Sequence, residues 1–309
     1  MKKPRILVVG SINHDIIYQD MQEEGMNGNG MVHARYEHAN GGKASIQAGA
    51  LARLGATPYL AGCIGQDAYG NEQIAELKRL GVRTEYINTC PGEQTGLTFM
   101  LMLKDNSYHS ATVLGANLKA SPELVEKALS QTNFDMVMMQ FEIPIETVFY
   151  TYEMASRKNI PVILDPGPPR RVPLERFRNI FMISPNEHEA EALTGIPVKT
   201  ERDALAASQK LFEETGAKRI VLKWGSTGAY YYDGHCGRLY PSFKVRAVDS
   251  TGAGDSFTAE LAVCLAAGCR IEEAIRKANA AGAICVSRYG GLPSVPSAAD
   301  VDQFIEKYL

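Results

Sequence analysis

Two carboxylates, two glycines and two hydroxyl residues fall together at Asp249-Ser250-Thr251-Gly252-Ala253-Gly254-Asp255, and an apolar run with Phe257, Leu261, Val263 and Leu265 follows directly. A glycine-rich turn that opens a helix points backbone N–H groups at one spot, and the helix dipole adds positive charge there, so the spot suits a phosphate or a developing anion. Asp255 stands at the helix start, where a carboxylate can also face a substrate hydroxyl. An anion cradle with a base inside it is what phosphoryl transfer to an alcohol requires. The same pattern also describes a tight turn with an Asp N-cap. Other parts of the chain must decide between the two.

Further polar clusters follow expected strands. Gly10-Ser11-Ile12-Asn13-His14-Asp15 comes after the first apolar run, and ligands of open α/β sheets sit beyond the C-terminal strand ends. Asn13 and Asp15 alternate onto one face suited to sugar hydroxyls; a turn with Asx hydrogen bonds is the plainer reading. His14 points the other way, as a structural histidine. Gly41-Gly42-Lys43 precedes a helix, so backbone can approach a ligand closely there, although the wider Walker A pattern is missing. Met139-Gln140-Phe141-Glu142 ends a strand and brings Glu142 to the same sheet edge. Asn186 opens a helix in Pro185-Asn186-Glu187-His188-Glu189, where a capping box with Glu189 is one reading and Glu189 beside a hydrated Mg²⁺ is the other. Lys223-Trp224-Gly225-Ser226-Thr227-Gly228 is a turn that passes under a nucleotide or closes a plain hairpin. Trp224, the single tryptophan, is expected in the core.

The elements that must position these groups are read from periodicity. Strands are expected over 5–9, 12–18, 32–38, 58–64, 136–140, 162–165, 181–184, 219–224 and 228–232. Helices are expected over 44–54, 69–80, 145–158, 187–194, 203–215, 256–267, 271–287 and 298–308. A hairpin is expected over 95–103 and 108–114 around a turn at 104–107, and a glycine-rich turn at 25–30. Alternating strands and helices argue a mainly parallel sheet covered on both faces. Segments 16–38 and 95–114 break that alternation. They read as a small sheet that serves as a lid, pairs with another subunit, or merely decorates the body.

A chain of 309 residues with 45% hydrophobic and 22% charged residues can build a sizeable core. A net charge of −3 and a pI near 6.1 give no electrostatic reason to expect nucleic acid or a membrane surface. The apolar run after the basic start is too short for a signal peptide, and no run approaches a membrane helix. The six cysteines show no C-x-x-C pairing, so reduced thiols in the cytoplasm are expected and zinc is not.

These pieces occur in one order, and that order resembles the ribokinase group of the PfkB carbohydrate kinase family. The similarity runs from Gly10-Ser11-Ile12-Asn13 to Pro293-Ser294-Val295-Pro296, with Asp249 through Asp255 as the C-terminal signature and Gly41-Gly42-Lys43 as the N-terminal one. The resemblance implies one ribokinase-like domain over 1–309, a three-layer α/β/α fold with a mainly parallel central sheet and a small β-sheet lid from the strands at about 16–38 and 95–114. It implies an ATP-dependent kinase acting on a sugar's primary hydroxyl. Asp255 would be the base, and the amides of Gly252, Ala253 and Gly254 the anion hole. Asn13, Asp15, Gly41, Gly42, Lys43 and Glu142 would surround the sugar. Asn186, Lys223, Gly225, Thr227, Gly228 and Asn279 would surround ATP, with Glu189 helping to place Mg²⁺. A monovalent cation, usually K⁺, would sit among Asp249, Thr251, Cys285, Arg288, Gly290 and Ser294. The lid would form a homodimer contact.

Two positions depart from the family pattern. The run Gly41-Gly42-Lys43-Ala44-Ser45-Ile46 has Ile46 where ribokinases typically place an Asn that bonds the sugar. An unmet buried hydroxyl costs ~1–3 kcal/mol, so weaker ribose binding, or a substrate lacking that hydroxyl or carrying an apolar group there, is expected. Ser45 and Gln47 are the candidates to compensate. Lys223 stands where many relatives carry a small hydroxyl residue, placing its charge on ATP phosphates or in solvent. The rival readings are a nucleoside kinase of the same fold and a sugar-binding regulator without turnover. Dinucleotide-dependent oxidoreduction is disfavoured because no Gly-x-Gly-x-x-Gly follows the first strand.

Overall fold

The computed structural model describes residues 3–21, 35–103 and 108–308. The expected turns at 25–30 and 104–107 lie outside them. The described strands are β1 (Arg5–Val9), β2 (Asn13–Met21), β3 (Arg35–Gly41), β4 (Thr57–Gly65), β5 (Arg83–Cys90), β6 (Gly96–Leu103), β7 (Tyr108–Val113), β8 (Met136–Met139), β9 (Val162–Leu164), β10 (Met182–Ile183), β11 (Ile220–Trp224), β12 (Gly228–Tyr232) and β13 (Gly237–Pro241). The longer helices are α1 (Lys43–Arg53), α2 (Ala68–Arg79), α3 (Pro122–Gln131), α4 (Ile145–Arg157), α5 (Glu187–Thr194), α6 (Glu201–Thr215), α7 (Ala253–Ala266) and α8 (Ile271–Val286); the short α9 (Gly291–Ser294) and α10 (Ala298–Glu306) follow.

The large sheet runs β13-β12-β11-β10-β9-β8-β1-β4-β5. It is parallel from β11 to β5 and antiparallel across β11, β12 and β13. The pleat of β1 explains the layers. Ile6 and Val8 enter one core with Leu51 of α1, Leu261 of α7 and Ile275 of α8. Leu7 and Val9 enter the opposite core with Val125 of α3, Phe149 of α4 and Leu211 of α6. The result is the expected ribokinase-like α/β/α sandwich.

The sequence reading does not anticipate β5, β13 and α3. Both strands lie at sheet edges and bury almost nothing beyond Tyr86, so neither carries a period-two pattern. The α3 helix was legible, with Pro122 in its first turn and Leu124, Val125, Ala128 and Leu129 buried along one side. The α7 helix starts three residues earlier than expected, which matters for Asp255.

The small sheet has the order β3-β2-β6-β7. Pairing sets Asn13 opposite Gly41 and Gly96, and Asp15 opposite Thr98. Period-two alternation then puts Asn13, Asp15 and Thr98 on one face, and Tyr36, Phe99 and Val113 exposed on the other. His14 belongs to that second face, where it stacks on Tyr69 at 4.0 Å, as expected for a structural histidine. Among the described residues, no helix is long and apolar enough to cross a membrane. All six cysteines are free thiols.

Candidate active site

The carboxyl ends of β1, β8, β9 and β11 deliver Ser11, Glu142, Asp165 and Lys223 to one sheet edge, where ligands of open α/β sheets bind. The first turn of α7 faces them. Its N-cap is Gly252, at φ 79° and without a side-chain cap. Asp255 is therefore not a capping residue. It lies in the first turn, 7% exposed, and its Oδ1 accepts from Gln47 Nε2 at 2.9 Å and faces Lys43 Nζ at 3.3 Å. Among the described residues no hydrogen bond or ion pair reaches Oδ2. Of the expected anion-hole amides, that of Ala253 donates to the Ser250 carbonyl at 3.2 Å. Gly254 stands in the first turn, where a helix offers no i−4 acceptor.

Beneath Asp255 lies a buried polar cluster. Asp165 is 1% exposed. Its Oδ1 meets Lys223 Nζ at 2.8 Å, and its Oδ2 accepts from Gln47 Nε2 at 2.8 Å and faces Lys43 Nζ at 3.7 Å. Gln140 Nε2 donates to Gln47 Oε1 at 2.5 Å. Burial would lower the Lys43 pKa, but Asp165, Asp255, Glu189 and Glu142 outweigh it and hold it well above the usual lysine value. Burial would raise Asp165, but Lys223 and then Lys43 bring it below the usual carboxylate range. Lys223 is thus not solvated; it is 8% exposed and ion-paired with Asp165.

The residues expected around the sugar also converge. Asn13 Oδ1 accepts from Asn117 Nδ2 at 2.7 Å, and Glu142 accepts from the Ser11 hydroxyl and, at 3.4 Å, from the Lys43 amide. Asp15 is buried with Oδ1 unpartnered. Burial pushes its carboxyl up to about 7, with Thr98 opposing and Glu142 adding. Gly41 leaves the space the Asp15 carboxylate occupies, and Gly42 adopts φ 87° against the Asn13 amide. Ile46 is 5% exposed and belongs to the apolar core under α1, beside Gly291. Of its two proposed compensators, Ser45 bonds the Ser11 carbonyl and Gln47 is committed to the two aspartates.

On the far side of α7 a cavity of about 480 Å³ opens between β11, β12 and α8. Lys223, Gly225, Gly228 and Asn279 line it, as does Gly254. Asn279 also ties α8 to β13 by donating to the Tyr240 and Pro241 carbonyls. Asn186 and Thr227 are not among the lining residues. Asn186 caps α5 in a full capping box, taking the Glu189 amide and giving its own amide to Glu189 Oε2 at 2.7 Å. Trp224 ends β11 half-buried: it packs against the core cluster of Ala190, Leu222 and Tyr230, as expected, and also lines the cavity.

The pfkB family carbohydrate kinase profile matches residues 3–298. The chain belongs to this family of carbohydrate kinases. It is 36% identical over 302 residues to a ribokinase of Bacillus subtilis, covering 97% of this chain and 99% of that one. It is 30% identical over 268 residues to a deoxyribokinase of Salmonella typhi, covering 86% of each. The structure of Arabidopsis thaliana ribokinase complexed with ribose and ATP superposes with a TM-score of 0.87 at 31% identity, over 99% of both chains.

In this carbohydrate kinase the loop before α7 is braced by Asp249, whose carboxylate accepts from the Thr251 amide at 2.8 Å and the Gly290 amide at 3.0 Å. Cys285 Sγ reaches the Thr251 carbonyl at 3.6 Å and Ser294 Oγ at 2.9 Å. The expected cation residues are therefore gathered, although the Arg288 guanidinium turns to Asp300 at 3.5 Å. Among the described residues no group of three His, Cys, Asp or Glu side chains is arranged to hold a metal ion. Sequence reasoning missed Asp165, Asn117 and the cavity wall at 242–247. Asp165 was within reach, since it ends an apolar strand at the same edge as Glu142. Asn117 sits in a 3₁₀ turn, and the wall is irregular.

Proposed function

We propose that this enzyme transfers the γ-phosphate of ATP to the primary hydroxyl of a ribose-like sugar, with Asp255 as general base. The observation that carries the reading is the place of Asp255: a buried carboxylate in the first turn of α7, next in sequence to the cavity-lining Gly254 and 3.3 Å from the Nζ of Lys43, whose amide faces Glu142. The complex of ribose and ATP named for the Arabidopsis structure supports both substrates. Asn13, Asp15, Glu142 and the backbone at Gly41 and Gly42 would hold the sugar, with the cavity taking the nucleotide. Asp255 accepts the hydroxyl proton while the hydroxyl oxygen bonds to the γ-phosphorus, and the bond to the β–γ bridging oxygen breaks to release ADP. The amides of Gly252 and Gly254, with Ala253 in the same turn, stabilise charge on the transferring group.

Mg²⁺ would neutralise the polyphosphate when bound. Glu189 fits a place beside its water shell, because Oε2 is held by the cap while Oε1 faces Gly167, where a Cβ would lie 2.5 Å away. K⁺ would sit at the loop formed by Asp249, Thr251, Cys285, Gly290 and Ser294, where the Asp249 carboxylate and the Thr251 carbonyl are gathered. The free thiols support a cytoplasmic enzyme, and the exposed Tyr36, Phe99 and Val113 face supports a homodimer through the lid. Because Ile46 supplies no donor, the preferred sugar lacks the hydroxyl an Asn would bind, which the deoxyribokinase relative supports.

The test is Asp255→Asn, assayed as ADP release with Mg²⁺ and K⁺ over pentoses, deoxypentoses and nucleosides. Turnover should fall ~10²–10⁴-fold with nucleotide binding retained. An Asp255→Asn enzyme as fast as the parent refutes the role.

A further inference from the structure

Lys223 has three N–H donors, and the protein takes all three. They lie 2.8 Å from Asp165 Oδ1, 2.7 Å from the Ser184 carbonyl and 3.5 Å from Thr258 Oγ1. None is left for a phosphate. The partner carboxylate is equally committed. Asp165 Oδ2 accepts one N–H of Gln47, and the second N–H of the same amide goes to Asp255 Oδ1. The amide cannot turn over, because Gln140 Nε2 donates to its Oε1. Lys43 Nζ completes the arrangement, 3.3 Å from Asp255 Oδ1 and 3.7 Å from Asp165 Oδ2. Oδ1 of Asp255 is thereby saturated, and Oδ2 is the atom left for a substrate proton.

We infer that Asp165 and Lys223 are positioning residues for the phosphoryl transfer: they hold Gln47 and Lys43 so that Asp255 presents Oδ2 to the acceptor hydroxyl. The inference rests on Asp255 being the base. Lys223 balances Asp165, and that balance keeps Lys43 with Asp255. Remove Lys223 and the Asp165 carboxylate is buried with one oxygen unpaired, a cost that draws in the next cation. That cation is Lys43, already within 3.7 Å. Its movement would loosen Oδ1 and let the Asp255 carboxylate rotate. Sub-ångström aim is what such a site depends on, since a misplacement of about 1 Å costs on the order of 10²-fold in rate.

The experiment compares Lys223→Met, Asp165→Asn, the double variant D165N/K223M and Asp255→Asn. Each is measured for kcat and both KM values per active site, titrated with a non-hydrolysable ATP analogue. For Lys223→Met we expect kcat to fall about 10²-fold with KM for ATP within about threefold of the parent. The double variant should recover at least about tenfold of that loss, because the amide introduced at position 165 still offers Gln47 an oxygen and the Asp165 charge that would draw Lys43 away is gone, while Glu189, 4.0 Å from Lys223 Nζ, keeps its cap hydrogen bond. A rise in KM for ATP with kcat held would make Lys223 a phosphate-binding lysine and overturn the inference. So would a double variant as slow as Lys223→Met. An unchanged kcat per titrated site in Lys223→Met would reduce the pair to a structural one and overturn it as well.

If Lys223→Met does not fold, D165N/K223M is compared with D165L/K223M, which removes the oxygen as well. The latter should be at least about tenfold slower per site, and equal rates overturn the inference. Asp255→Asn separates the two readings. If it turns over like the parent, the base assignment fails whatever the pair does. If it is inactive while the pair variants are fast, only the pair inference fails.

Discussion

Gly41→Ala should separate sugar binding from folding. Gly41 has no left-handed backbone torsion, so alanine meets no backbone strain there. Its methyl group, however, would fall on the Asp15 carboxyl: Cγ and both oxygens lie well inside the 3.0 Å below which real Cβ contacts essentially do not occur. The obstacle is one side chain and no backbone atom, so Asp15 is expected to rotate its carboxylate away from position 41 with the fold kept. The retreating group is one proposed to hold the sugar. A hydrogen bond to a charged group contributes about 1.5–3 kcal/mol, so kcat/KM for the sugar should fall roughly 10- to 150-fold. KM for ATP should not move, because the cavity lies on the far side of α7. The assay is steady-state ADP release with each substrate varied in turn, alongside thermal unfolding. An unchanged KM for the sugar would refute the placement of Asp15, and a collapse in melting temperature would refute the claim that the side chain can yield.

The neighbouring glycine should behave in the opposite way. Gly42→Ala forces φ 87° on an L-residue and sets a methyl 2.6 Å from the Asn13 nitrogen and 2.8 Å from the Ser11 oxygen, both backbone atoms, so unfolding free energy should drop by at least ~2 kcal/mol in a denaturant titration. The Asp15 carboxyl, held at about 7 against 3.8 when exposed, gives a pH signature. The folded state keeps a proton that the unfolded chain releases, so this contribution is full below 3.8 and lost as pH rises through about 7. Asp15→Asn should therefore gain stability relative to the parent from pH 4 to pH 8, by at most ~4 kcal/mol; a constant difference refutes the shift. Ile46→Asn should raise the ratio of kcat/KM for ribose over 2-deoxyribose by about tenfold, with a lower melting temperature from the buried amide. An unchanged ratio would show that position 46 does not read the hydroxyl.

How much of this was legible depended on whether a residue's partner is near in sequence or set by the fold. The central strands and the flanking helices announce themselves because burial on both faces or on one stripe imposes a period. The edge strands β5 and β13 bury too little to show one. The helix start at Ala253, and with it the true place of Asp255, depended on Gly252 serving as N-cap, which the Gly-Ala-Gly run leaves ambiguous. The motif residues were recognisable because turns and strand ends cluster them locally. The cluster beneath them joins Gln47, Gln140, Asp165 and Lys223 from four elements, with partners up to 208 positions apart. Lys223 shows the cost: its charge read as solvated or phosphate-facing, because Asp165 is invisible as its partner until β9 and β11 meet the same edge.

The α1 helix explains how such a site can change its substrate without losing its chemistry. Lys43 and Gln47 are four residues apart, so they share one helical face, and that face meets Asp255 and Asp165. Ile46 precedes Gln47 by one position and is therefore turned about 100° away. It packs into the apolar core near Gly291, in the segment where Ser294 meets Cys285. If Asp255 is the base and position 46 selects the sugar, as proposed, the two tasks fall on different faces of one helix. On the proposed reading, a substitution at 46 would alter which hydroxyl is met while the amide of Gln47 keeps its grip on Asp255 Oδ1. By the same geometry, a change at 47 cannot be confined to specificity, because that one amide joins both aspartates.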